Sequence, residues 1–244
     1  MKTIVILKTG VLVFLFSVLF LLGCKKTSKT ELPIETGSVT DRQGNVYQTV
    51  KIGNQWWMAE NLRVKVYNDS TPILEVKISE RDSVWANKTI GAFCAIDSRY
   101  GLHYNWLAMR NIKKIAPAGW HVPSDDEWKM LELELGMAGE EADNTSWRGS
   151  HLSQKLLPES SVGWPSQVST VYGTNETGFT ALPGGCRVFN GTKGEVSATA
   201  YWWTSSEQSQ TTGWYRNLSA SNASIFRYFV DKNYGLNIRC VKDQ

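Results

Sequence analysis

Eleven tryptophans set beside 20 glycines in a chain of 244 residues constrain this sequence more than any other feature. Trp is a large apolar plug whose indole N–H needs a partner once buried, and Gly marks turns and close backbone approaches. A helical bundle would fill its core with Leu and Ala instead. The pairing therefore implies a loop-rich β or α+β domain held by aromatic plugs. No internal repeat runs at the usual solenoid or propeller periods.

The N-terminus reads differently from the rest. Lys2 and Lys8 form a positive start, and Val11 to Leu22 is an apolar run broken only by Ser17. Such a run matches a signal-peptide core and falls short of the about 20 apolar residues that cross a bilayer. Leu21-Leu22-Gly23-Cys24 then follows the pattern of a bacterial lipobox. Residues 1–23 are thus expected to be a lipoprotein signal peptide, Cys24 the acylated new N-terminus, residues 24–36 a polar tether and residues 37–244 the domain. Several acyl chains on one residue anchor a protein stably. The expected location is the cell envelope, as an outer-membrane lipoprotein facing the periplasm or the surface, with the membrane as a partner through the lipid.

Charge narrows the partners further. Lys2, Lys8, Lys25, Lys26 and Lys29 of the 26 basic residues, and Glu31 and Glu35 of the 23 acidic ones, precede residue 37. That leaves 21 of each sign on the domain. A formally neutral domain excludes a nucleic-acid surface driven by phosphate neutralisation.

Local structure is legible in two places. Val46, Gln48, Val50 and Ile52 alternate with Tyr47, Thr49 and Lys51 at strand period, and Gly53-Asn54 predicts a two-residue hairpin turn into Gln55 to Met58. Ser124 with Glu127 three residues later predicts a capping box, with Asp125 and Asp126 favouring the helix start. Trp128, Leu131 and Leu135 mark its buried face, and Gly136 its end. A second helix is expected between Ser150 and Leu157, ended by Pro158. Further strands are expected at Tyr201-Trp202-Trp203, Trp214-Tyr215-Arg216 and Phe226 to Phe229.

Several blocks carry a wider resemblance. Val50 to Leu62, Gly119 to Trp128, Asn175 to Gly185, Tyr201 to Glu207 and Tyr234 to Val241 resemble, in order and spacing, the Fibrobacter succinogenes major paralogous domain from roughly Gly37 onward. The helix opening Pro123-Ser124-Asp125-Asp126-Glu127-Trp128, the Gly184-Gly185 pair and the closing Gly235 to Cys240 are also similar to the formylglycine-generating-enzyme and C-type lectin-like folds. The resemblance implies an α+β fold: an irregular, mostly antiparallel sheet with about two helices and long loops, and strands at Leu182 to Arg187 and Gly235 to Cys240.

The chain also departs from that pattern. Relatives read Cys-Pro-x-Gly-Trp-His where Ala116-Pro117-Ala118-Gly119-Trp120-His121 stands, and tend to have Tyr at Cys186. With Cys24 acylated, Cys94, Cys186 and Cys240 remain as disulfide candidates, Cys240 bridging to either of the others. Relatives carry an acidic loop at Asp41 to Asn45; Gln43 replaces its second acid, so a plain turn is expected rather than a calcium site.

No cofactor, no metal and no catalysis are expected. His103, His121 and His151 lack ligand spacing, no Cys-x-x-Cys occurs, and the calcium motifs of C-type lectins are absent. His121 reads as a packed structural residue. Exposed aromatics among Asn, Ser, Thr and Arg can instead stack on sugar rings and bind their hydroxyls. Such a mixture lies between Trp202 and Asn222, with Trp203, Trp214, Tyr215 and Arg216 as the candidate ligand contacts. At most one of Trp202 and Trp203 is expected to face solvent, because adjacent strand residues point to opposite sides. The expected function is a lipid-anchored envelope module that binds glycan or protein without catalysis. The alternatives are an oxidase or hydroxylase on a formylglycine-generating-like scaffold, and a structural or adhesive surface component.

Overall fold

In the computed structural model, residues 33–80, 82–159, 163–164 and 171–244 are described; residues 1–23, Cys24 and most of the expected tether lie outside them. Ile34 to Gln244 form one compact unit, whose first strand is Thr36–Thr40. The architecture is α+β, with most of the regular structure in sheets.

The predicted hairpin forms as read: Val46–Ile52 pairs with Gln55–Met58, Ile52 opposite Gln55, across a turn in which Gly53 takes φ +57°. A positive φ of this kind is costly for any residue with a Cβ, which explains the glycine. Val241–Lys242 and Trp120–His121 extend the sheet to five strands, in the order Thr36–Thr40, Val46–Ile52, Gln55–Met58, Val241–Lys242, Trp120–His121. The simple alternation of Val46–Ile52 does not hold. Val46 is exposed while Tyr47, Thr49, Val50 and Ile52 are buried. Tyr47 and Met58 belong to one hydrophobic core, and Val50, Ile52 and Trp57 to another. The sheet runs between two cores, so both of its faces find apolar cover.

The same device governs the second large sheet, Thr199–Glu207, Thr212–Ser219, Asn222–Asp231 and Ser146–Arg148, all antiparallel. Trp203 and Tyr215 enter the first core; Trp202, Leu218 and Ile225 enter the second. Both Trp202 and Trp203 are fully buried, in keeping with the expectation that at most one faces solvent, and burial takes Trp203 away from any ligand. Their indoles donate to Asn61 Oδ1 and to the Tyr104 carbonyl, each at 2.8 Å. Period-2 reasoning assumes one wet face, and the Thr199–Glu207 strand has little of one.

The capped helix, Asp125–Glu134, packs on the second core. Ser124 Oγ accepts from the Glu127 N–H at 3.1 Å and Glu127 Oε2 accepts from the Ser124 N–H at 2.7 Å. Trp128 meets Trp57 at 4.9 Å and Trp202 at 5.9 Å between ring centroids. The helix expected between Ser150 and Leu157 is only a 3-10 turn, Leu152–Lys155, because His151 before it adopts φ +67° and breaks the helical path. Three short helices, Asp82–Ala86, Trp106–Met109 and Gly139–Ala142, carry no sequence signal strong enough to be read in advance.

The strands expected over Leu182 to Arg187 and Gly235 to Cys240 shrink similarly. Only Cys186–Arg187 pairs as a strand, with Lys193–Gly194, and Gly235, Leu236 and Asn237 make isolated bridges to Arg187, Tyr104 and Trp202. Residues 235–240 are wholly buried and thread between elements, so their hydrogen bonds divide among several partners instead of one ladder. The cysteines also differ from expectation: Cys94, Cys186 and Cys240 are buried free thiols with no bridge among them.

Candidate functional site

The four residues expected to contact ligand do not form one surface. Trp203 and Arg216 are fully buried and Tyr215 is nearly so. Trp214 is half-buried, with the Arg227 guanidinium 3.8 Å from its ring centroid and the edge of Phe229 at 5.6 Å. Trp203 and Arg216 therefore pack the interior.

Arg216 instead belongs to a buried ion cluster. Its Nη1 donates to Asp125 at 2.7 Å, and its Nε to Glu132 at 2.5 Å. Arg227 holds the other oxygen of Asp125 at 2.7 Å, and Arg148 grips Glu132 with two bonds of 2.9 Å. Burial would raise the Asp125 pKa, yet hydrogen bonds and charge from Arg227 and Arg216 hold it well below the usual carboxylate range. The capped helix presents Asp125 and Glu132 on one face, two turns apart, and the sheet supplies the arginines from three strands. Asp125 thus serves a tertiary ion cluster as well as the helix start. This cluster is structural, since it offers no face to solvent.

An open groove of about 460 Å3 lies elsewhere, around the Trp120–His121 strand. Pairing of His121 with Val241 and of Trp120 with Lys242 brings Asp243 from the chain's end alongside His121. The Trp106–Met109 helix, capped by Asn105, feeds the loop that closes the other side, where Ile112 is 93% exposed. Met109, Ile115 and Val122 supply an apolar floor, and half-buried Trp120 a wall. Asn111, His121, Ser205 and Asp243 add polar groups.

His121 is held on both sides. Nδ1 lies 2.6 Å from Asp243 Oδ1 and Nε2 lies 2.7 Å from Glu127 Oε1. The hydrogen bond to Glu127, supported by that to Asp243 and opposed by partial burial, raises its pKa to about 8. The imidazolium is therefore the stable form at neutral pH, and neither nitrogen has a lone pair for a reacting group. Among the described residues no Ser or Cys side chain hydrogen-bonds a histidine, and no three His, Cys, Asp or Glu side chains converge as a metal-ligand set. The groove offers a stacking surface and hydrogen-bonding groups. His103, by contrast, is fully buried, held by the Gly184 carbonyl at 3.0 Å, and burial lowers its pKa to about 4.

Sequence reasoning missed the groove although it singled out the Gly119-Trp120-His121 block. Asp243 stands 122 residues from His121, and only strand pairing joins them.

These features define an α+β domain with aromatic cores packed on its sheets and a half-open groove at the Trp120–His121 strand. A model of the Fibrobacter succinogenes major domain matches residues 50–242, and the chain belongs to that family. No curated protein and no solved structure gives a match.

Proposed function

We propose that this chain is a lipid-anchored module of the bacterial cell envelope that binds glycan, without catalysis, in the Trp120–His121 groove. One observation carries the reading: an indole wall and the polar side chains of Asn111, His121, Ser205 and Asp243 face one open cavity of about 460 Å3. Sugar recognition needs this combination of a stacking surface and fixed hydrogen-bonding groups. The clamped histidine supports binding over acid–base chemistry, because a general base needs a free lone pair within reach of substrate. The irregular strands and threaded C-terminus support a finer placement among C-type lectin-like or formylglycine-generating-enzyme-like folds.

The anchor reading rests on Lys2, Lys8, the apolar run and Leu21-Leu22-Gly23-Cys24, and the tethered domain would lie at the outer membrane. Cys24→Ala should release the protein from membranes or block processing, and an unchanged N-terminus with retained membrane binding would refute lipidation. For the groove, the full chain in detergent should bind members of a glycan array, and Trp120→Ala should abolish that signal while the melt is retained. Chelator should leave binding intact. Glycan binding that survives Trp120→Ala refutes the placement, and release by chelator refutes metal-free recognition.

A further inference from the structure

A separate cavity of about 180 Å3 opens beside the Thr199–Glu207 and Thr212–Ser219 strands, and none of its lining residues lines the Trp120 groove. Tyr201, Tyr215 and Tyr234 supply its aromatic surface, Cys186 and Leu236 its apolar floor, and Glu195 its charge. The Tyr201 and Tyr215 rings pack 5.8 Å apart, and Phe189 backs Tyr234 at 5.9 Å. Among the described residues the Tyr215 and Tyr234 hydroxyls make no hydrogen bond.

Glu195 is held in place with some care. Its backbone takes φ +47°, a left-handed conformation that few residues with a side chain adopt. Its Oε2 accepts from Thr199 Oγ1 at 2.9 Å and from the Tyr201 hydroxyl in a short bond. Among the described residues Oε1 has no hydrogen-bond partner. Strain of this kind persists only where surrounding structure enforces it, and here it fixes a carboxylate at the mouth of an aromatic cavity.

The electrostatic balance is one-sided. Burial raises the Tyr201 and Tyr215 phenols, and burial with the Glu195 charge pushes the Cys186 thiol up to about 12, so all three are neutral at pH 7. Glu195 is then the formal charge among the lining residues, and Asp231 adds a second negative charge felt by Tyr234. Among the described residues no Lys or Arg lines the cavity. Tyrosine faces carry negative quadrupole density, so ring and carboxylate favour the same ligand sign.

We infer that this cavity is a binding site for a small organic cation, of the trimethylammonium or alkylamine class, with its head against the tyrosine faces and the Glu195 carboxylate. The size agrees. At roughly 30 Å3 for each water-sized group, the cavity of about 180 Å3 holds an ammonium head with its methyl groups. Sites for larger ligands run to about 300–1,000 Å3, so an oligosaccharide does not fit. An anion would meet Glu195.

The test titrates the full chain in detergent with choline chloride by calorimetry, beside the neutral isostere 3,3-dimethylbutan-1-ol. Choline should bind saturably, and the alcohol about tenfold more weakly. Glu195→Gln and Tyr234→Leu should each weaken choline by about tenfold, whereas Trp120→Ala should leave it unchanged. Should Tyr234→Leu fail to fold, Glu195→Gln decides, because its side chain is exposed and its loss removes no core packing. Absence of saturable choline binding to the folded wild type overturns the proposal. So does equal binding of the alcohol, undiminished affinity in Glu195→Gln, or loss of choline binding in Trp120→Ala. The glycan reading of the other groove stands or falls separately.

Discussion

Asp125→Asn should destabilise the protein more than Arg216→Met does, and the arrangement of the buried ion cluster gives the reason. Three arginines, Arg148, Arg216 and Arg227, share two carboxylates, Asp125 and Glu132. Removing Arg216 leaves each carboxylate paired, Asp125 with Arg227 and with Lys129 at 3.3 Å, and Glu132 with Arg148. Removing the Asp125 charge leaves three guanidiniums facing Glu132 alone, with Arg227 deprived of its carboxylate. Breaking a buried pair costs about 3–5 kcal/mol. Asp125→Asn belongs near about 5 kcal/mol and Arg216→Met near about 3 kcal/mol or below. For a domain this size each kcal/mol lowers Tm by about 2–4 °C, which predicts a fall of about 10–20 °C for Asp125→Asn and at most about 6–12 °C for Arg216→Met. Thermal melts by circular dichroism read both. The sign with pH is also fixed. Asp125 has a depressed folded pKa, so its stabilisation is present above about pH 4 and declines as pH falls below that value. Asp125→Asn should flatten the acid limb of the stability profile. Equal melts for the two variants, or an Arg216→Met protein that melts normally but loses ligand, would refute the structural role argued for the cluster.

Two further outcomes follow from the capped helix and its histidine. Ser124→Ala removes an N-cap worth about 1 kcal/mol and should lower Tm by about 2–4 °C while glycan binding persists; a normal melt with lost binding would move the helix start into the site. His121 has a raised folded pKa, so its stabilisation is complete below about pH 6.5 and is lost as pH rises through about 8. The melting temperature should therefore drop between about pH 6 and about pH 9, and His121→Gln should remove that part of the drop. A His121→Gln protein with the full wild-type pH difference would show that the carboxylate clamp contributes nothing.

Some of this protein was determined by sequence alone, where the physics is local. The Gly53-Asn54 hairpin and the Ser124–Glu127 capping box depend on residues within a few positions of one another, and both form as read. The Trp- and Gly-rich composition reaches only as far as a loop-rich β or α+β domain, and the choice of α+β comes from the family resemblance. Period 2 places Trp202 and Trp203 on opposite faces, but it does not say that both faces are covered. Arg216 looked like a surface hydrogen-bonding group because its partners, Asp125 and Glu132, lie 91 and 84 residues away. The Trp120–His121 groove required the chain's end to return as a strand beside residue 121, bringing Asp243 to His121. Sequence patterns report neighbours along the chain; the charge partners and cavities here are made by segments that meet only after the two cores have closed around the sheets.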